Sequence, residues 1–167
     1  HLPLGGLPPA LAVVNPNRSD CTYPGPQLCG TGVVFKLCQG LASGANIPQD
    51  ELWPHLDLVA LATVSDLVPL TGENRILVRF GLRYLANTTK LGLRALIRVA
   101  GLDTQSGLEA GDVGFVLGPR INAVGRMGEA DLALQLLLTA DSSEAHRLSD
   151  ILERTNHERR EEDRATL

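Results

Sequence analysis

Two stretches of this sequence carry residues whose types and spacing could do chemistry. The first runs from Asp57 to Leu70, and ten of its fourteen residues are Leu, Val, Ala or Pro. Such a run is buried on most sides, as a core helix or an inner strand. Asp66 interrupts its second half. A carboxylate enters an apolar environment only when paired, hydrogen-bonded or bound to a metal. Pro69 cannot sit in a helix interior, so the element ends near Asp66. Two readings follow: a metal-binding acid at the mouth of a buried element, or an acid that bonds locally to the Leu67–Val68 backbone. The second stretch runs from Gly118 to Gly128 and reads as a loop punctuated by Gly and Pro. Backbone can approach a ligand closely in such a loop, and Arg120, Asn122 and Arg126 suit phosphate oxygens. The alternative is a surface loop whose arginines bind nearby carboxylates.

Two further patterns are weaker. Gly30-Thr31-Gly32 opens a helical run, and free N–H groups there can hold an anion. With neither G-x-x-x-x-G-K-[ST] nor G-x-G-x-x-G present, close packing explains these glycines better than a nucleotide cradle. Arg75, Arg79 and Arg83 recur every four residues on one predicted helix. They form either a solvated face or a ridge facing phosphates.

The elements that position these residues must come from a chain of 167 residues, long enough for one domain with a real core. Hydrophobic residues make up 44% but aromatics only 4%, so the core is Leu, Val and Ala, a helix-forming mixture. A net charge of −4 excludes a global basic field, although the cations are arginine almost throughout, and Arg grips phosphate better than Lys. Cys21, Cys29 and Cys38 are odd in number and form no C-x-x-C pair, which argues against a disulfide framework or a closed zinc site. A reducing, cytoplasmic setting fits. No apolar stretch reaches the ~20 residues of a membrane span.

In chain order, Leu11–Val14 is predicted as the one strand. A helix follows over 33–41, with Thr31 as its cap, and Ser43–Pro54 is loop. Asn74 caps a helix to Ala86 whose apolar stripe is Ile76, Leu77, Phe80 and Tyr84. Helices follow over 91–100, stopped by Gly101, then 109–117 and 129–138. From Ser142 to Leu167 nothing breaks a helix; Asp141 caps it and Leu148, Ile151 and Leu152 form a narrow stripe. A helix polar on all faces near its end bridges domains or carries internal ion pairs. The reading is a body over 1–140 and the start of an interdomain helix over 141–167.

Several of these pieces stand in a familiar order: His1-Leu2-Pro3, Val13-Val14-Asn15-Pro16, Cys29 to Leu37, Asp57 to Leu70, Gly72-Glu73-Asn74-Arg75, Pro119-Arg120-Ile121-Asn122-Ala123 with Gly125-Arg126, and Asn156 with Arg159-Arg160. Together they resemble the DHH phosphoesterase superfamily, and within it the bacterial single-strand-specific exonucleases. The resemblance implies an α/β fold, here the C-terminal part of a parallel-sheet domain and mostly helical. It implies a two-metal site holding Mn²⁺ or Mg²⁺ and 5′-to-3′ hydrolysis of single-stranded DNA in repair and recombination. It also implies single-strand-binding protein and helicase partners. Asp66 matches the last metal-binding aspartate. His1 matches the second His of the Asp-His-His triplet, with a catalytic role at the phosphate. Arg120, Asn122 and Arg126 match a motif that faces the nucleic acid. The earlier aspartate motifs would lie before His1, so the chain reads as a fragment, inactive alone. Two alternatives stay open: a relative acting on short oligonucleotides or cyclic dinucleotides, and a non-catalytic scaffold.

Overall fold

The computed structural model describes residues 6–25, 27–126 and 130–165, with the side chain of Arg126 outside that set. Among these residues eight α-helices succeed one another: α1 (Gly30–Gly44), α2 (Leu56–Ser65), α3 (Gly72–Ala86), α4 (Leu91–Val99), α5 (Ala110–Asp112), α6 (Gly118–Arg126), α7 (Ala130–Leu138) and α8 (Ser142–Ala165). A 3-10 helix over Gln49–His55 precedes α2, and a π-helical turn over Val113–Leu117 joins α5 to α6.

Leucine packing holds this assembly. Leu85, Leu93, Leu96, Leu117, Leu136, Leu148 and Leu152 are sealed from solvent in one cluster shared by α3, α4, α7, α8 and the π-turn. A fully buried side chain of this size contributes about 1.5–3 kcal/mol by leaving water. A smaller cluster of Phe35, Leu56, Val59 and Leu77 ties α1 to α2 and α3. Helices α2 and α3 pack closely along their length, because Gly81 lets the backbones meet. A Cβ at Gly81 would lie 2.3 Å from the Leu56 carbonyl oxygen and 2.6 Å from the Ala60 Cβ.

Several sequence expectations need correction. Leu11–Val14 is not a strand, and no strand occurs among the described residues. A strand needs a neighbour for its backbone N–H and C=O groups. Here Leu11 is fully exposed, and the Val13 carbonyl accepts from the Arg18 guanidinium at 3.0 Å. The parallel sheet is therefore absent from the described residues, while the mostly helical character stands. The cap of α1 is Cys29, not Thr31; its Sγ accepts from the Gly32 N–H at 3.3 Å. The predicted 43–54 loop is shortened by the end of α1 and by the 3-10 helix. Thr71, not Asn74, stands at the N-cap of α3. The buried face of α3 is Leu77, Val78, Gly81 and Leu85, leaving Ile76 and Phe80 exposed, because the close α2 contact selects the glycine-bearing face. The predicted loop over 118–128 is helix as far as Arg126.

Other expectations hold. Asp66 ends α2, and Gly101, at φ +69°, follows α4 in the left-handed conformation typical of a helix stop. Asp141 caps α8 by accepting from the Glu144 N–H at 2.7 Å. No described helix is long and apolar enough to cross a membrane.

Candidate active site

Helix α2 is held at one end and presents a free acid at the other. At its start, Asp57 is 1% exposed. Its carboxylate accepts from Lys90 Nζ at 2.8 and 2.9 Å, from Thr88 Oγ1 at 2.7 Å and from the Leu58 N–H at 2.7 Å. Lys90 also donates to the Pro54 carbonyl at 3.1 Å. A buried carboxylate so fully satisfied, at a helix N-terminus where negative charge is favoured, pins α2 to the start of α4.

At the other end the Val68 N–H bonds the Thr63 carbonyl and the Leu67 N–H bonds the Val64 carbonyl, both at 3.1 Å. This is a Schellman closure, with Leu67 at φ +54° where glycine is usual. Both N–H groups are consumed by the helix, so Asp66 makes no local bond to them, and the turn-bond reading fails. The Asp66 carboxylate is exposed and has no side-chain partner among the described residues. It also sits at the negative end of the helix dipole, where an anion is disfavoured. A cation bound there would relieve both the charge and the dipole, and an oxygen donor suits Mn²⁺ or Mg²⁺. Asp66 thus fits one position of a metal site. Among the described residues no three His, Cys, Asp or Glu side chains converge on a metal.

The π-turn locks the end of α2. Gly114 packs against Val64, and a Cβ at Gly118 would lie 2.7 Å from Ser65 Oγ and 3.0 Å from the Val113 carbonyl. Pro119 has no N–H to donate, and the Gly118 N–H reaches back five residues to Val113. The widened turn therefore accommodates the proline without breaking the helix. It also explains why Gly118 and Pro119 failed to make a loop.

The predicted phosphate-binding residues separate on α6. Arg120 is buried, and its Nε and Nη2 grip both oxygens of Glu153 on α8, while Nη1 donates to the Val116 carbonyl at 2.7 Å. Asn122 is exposed, and with Ile121, Gly125, Ala130 and Ala133 it lines a recess. Arg126 is the last residue of α6. His1 lies outside the described residues.

A second anchor holds the loop beyond Asp66. Asn74 Nδ2 donates to the Pro69 carbonyl at 3.2 Å and the Gln27 carbonyl at 2.7 Å. Next to it, Glu73 accepts from the Tyr23 hydroxyl and pairs with Lys36 at 2.8 Å. Burial pushes the Glu73 carboxyl up, but the Lys36 and Tyr23 hydrogen bonds outweigh it and hold the group below the usual carboxylate range. Burial, reinforced by Glu73, pushes the Tyr23 phenol up to about 12.

Sequence reasoning passed over Asp57, Glu73 and Ser65. The rule that singled out Asp66, an acid in an apolar run, applies equally to Asp57. Its partners lie more than thirty positions away, with no sequence signal to join them.

No family model matches the chain. Curated relatives do. It is 45% identical over 159 residues to the single-stranded-DNA-specific exonuclease RecJ of Bacillus subtilis, covering 95% of this chain and 19% of that protein. A crystal structure of exonuclease RecJ bound to manganese superposes with a TM-score of 0.87 at 37% identity, over 99% of this chain and 41% of that one. The crystal structure of RecJ in complex with Mn²⁺ from Thermus thermophilus gives a TM-score of 0.84 at 36% identity, over 99% of this chain and 24% of that one. The chain thus spans less than half the length of each of these relatives.

Proposed function

Starting from the membership of this chain in the RecJ family of single-stranded-DNA-specific exonucleases, we propose that it forms part of the catalytic domain of a metal-dependent 5′-to-3′ exonuclease. The observation that carries the reading is the exposed, unpartnered Asp66 carboxylate at the braced end of α2. In this reading Asp66 is a ligand to Mn²⁺ or Mg²⁺, and His1 donates a hydrogen bond or a proton at the phosphate. When bound, such a pair of cations polarises the phosphate and lowers the pKa of an attacking water.

The chain's own residues orient the strand. Asn122 and Arg126 hold phosphate oxygens, and positive charge there stabilises the developing anion. Arg120 contributes from behind, fixing α6 on α8 through Glu153. Residues 1–140 form the domain body and 141–167 the start of the connecting helix. Single-strand-binding protein and helicase are the expected partners in the cytoplasm, acting on repair and recombination intermediates.

The test is Asp66→Asn in the full-length protein. Calorimetric titration with Mn²⁺ should lose affinity, and release of nucleotides from a 5′-labelled single strand should fall by orders of magnitude with the unfolding midpoint unchanged. A variant that binds Mn²⁺ and degrades the strand like the parent refutes the metal role. A labelled length series separates an exonuclease from an enzyme confined to short oligonucleotides.

A further inference from the structure

Aromatic residues are scarce in this chain, yet they are not scattered. Of one Trp, two Tyr and three Phe, four line a single groove: Phe35, Trp53, Phe80 and Tyr84. The groove has a volume of about 390 Å³ and no charged side chain in its lining. Trp53 and Phe80 are 47% and 45% exposed, so their rings face solvent at its mouth.

The row of charge beside the groove says what it takes. On α3 the exposed residues Arg75, Arg79 and Arg83 form a row, and Ile76, Phe80 and Tyr84 form the row beside it, as the 3.6-residue period requires. Successive arginines are ~6 Å apart along the axis. None has an ion-pair partner among the described residues, and the Arg83 guanidinium sits 5.6 Å from the centroid of the Phe80 ring. Gln39 also lines the groove.

We infer that this groove is a second contact for single-stranded nucleic acid, in which a base stacks between Trp53 and Phe80 while the Arg75–Arg79–Arg83 row takes the adjoining phosphates. Rings stack on bases of any sequence, and arginines in register with the backbone neutralise it without reading it. Leu56 lines the groove at the start of α2, and Asp66 ends the same helix ten residues later, ~15 Å away along the axis. The contact is therefore separate from the proposed cleavage position. The inference rests on the single-strand reading of the family for its choice of ligand, but not on Asp66 or on metal.

The experiment measures binding of a fluorescent oligodeoxyadenylate by the full-length protein in EDTA, where hydrolysis plays no part. Phe80→Ala and Trp53→Ala should each weaken binding about tenfold, within the range found for removing one stacking partner. Phe80→Tyr should restore it, a rescue that loss of structure would not give. Arg79→Ala and Arg83→Ala should each reduce the slope of log affinity against log salt by ~0.7. Parental affinity and slope in all the variants overturn the proposal. So does weakened binding that follows a lowered unfolding midpoint without rescue by tyrosine, which makes the rings structural. Displacement of the oligonucleotide by an acidic apolar peptide, with the salt slope unchanged by the Arg variants, assigns the groove to a protein partner instead. Should the parent bind but not cleave single strands, the exonuclease reading fails and this one stands.

Discussion

Replacing Lys90 by Met tests whether the buried pair at the start of α2 sets the position of the whole helix. Met keeps the stem length and removes the ammonium. Asp57, 1% exposed, would keep two of its donors, Thr88 Oγ1 and the Leu58 N–H, but lose its counter-charge. Breaking a fully buried pair costs about 3–5 kcal/mol. Lys90 keeps 22% of its side chain in solvent, and the remaining bonds still satisfy much of the carboxylate, so the expected loss is about 2–3 kcal/mol. With a urea dependence near ~2 kcal/mol/M, the unfolding midpoint falls by ~1–1.5 M. The double variant Asp57→Asn/Lys90→Met removes both charges. It should recover part of the loss, giving a coupling of ~1–2 kcal/mol. A Lys90→Met midpoint within ~0.25 M of the parent, with no coupling, would refute the argument that this pair anchors α2.

Three further perturbations probe the same frame. A Gly118→Ala variant places a methyl 2.7 Å from Ser65 Oγ; overpacking of this kind costs ~1–3 kcal/mol, and Ser65→Gly should recover most of it in a urea titration. Leu67→Gly relieves a left-handed backbone at φ +54° and should stabilise by about 1 kcal/mol; no gain, or a loss, means the closure does not store that strain. Tyr23 should ionise in the absorbance titration at about 12, and Glu73→Gln should bring it back toward the ordinary phenol value. The sign follows from the directions of these shifts. Tyr23, raised on folding, contributes stability that is complete below the unfolded phenol value near 10 and lost as pH rises through about 12. Glu73, lowered on folding, contributes above its unfolded value near 4.5 and loses that contribution as pH falls through the folded one. A Glu73→Gln variant whose acid and alkaline unfolding both match the parent removes the pair from the account.

Local chemistry made α2 and its end legible. The apolar run, Pro69 and Asp66 sit within one helix and its cap, and their meaning does not depend on distant residues. Gly101 and Asp141 were legible for the same reason. What failed was whatever a remote contact decides. The buried face of α3 is set by the approach of Gly81 to Leu56 and Ala60, so a stripe drawn from the largest side chains chose Ile76 and Phe80 wrongly. Leu11–Val14 has strand composition, but a strand is a property of a pair. Gly118-Pro119 has turn composition, but the helix runs through it because a π-turn absorbs the missing N–H. In the candidate site, Asp66 was legible as an acid out of place. The confinement of Arg120 to Glu153 was not, since α8 begins more than twenty residues later.

That π-turn also acts as a one-residue insertion in the phase of a helix. A chain running from Ala110 to Arg126 as unbroken α-helix would turn about 100° per residue, and the turn at Val113–Leu117 offsets everything after it by about one such step. The offset is what directs Arg120 toward Glu153 and leaves Asn122 facing outward. Deleting a single residue there would restore ideal helix geometry and turn α6 by about 100°, carrying Arg120 off Glu153 and Asn122 off its outward face. A change that improves the local hydrogen bonding would thus break the grip of Arg120 on Glu153, so the irregular turn is the feature that keeps the two helices in register.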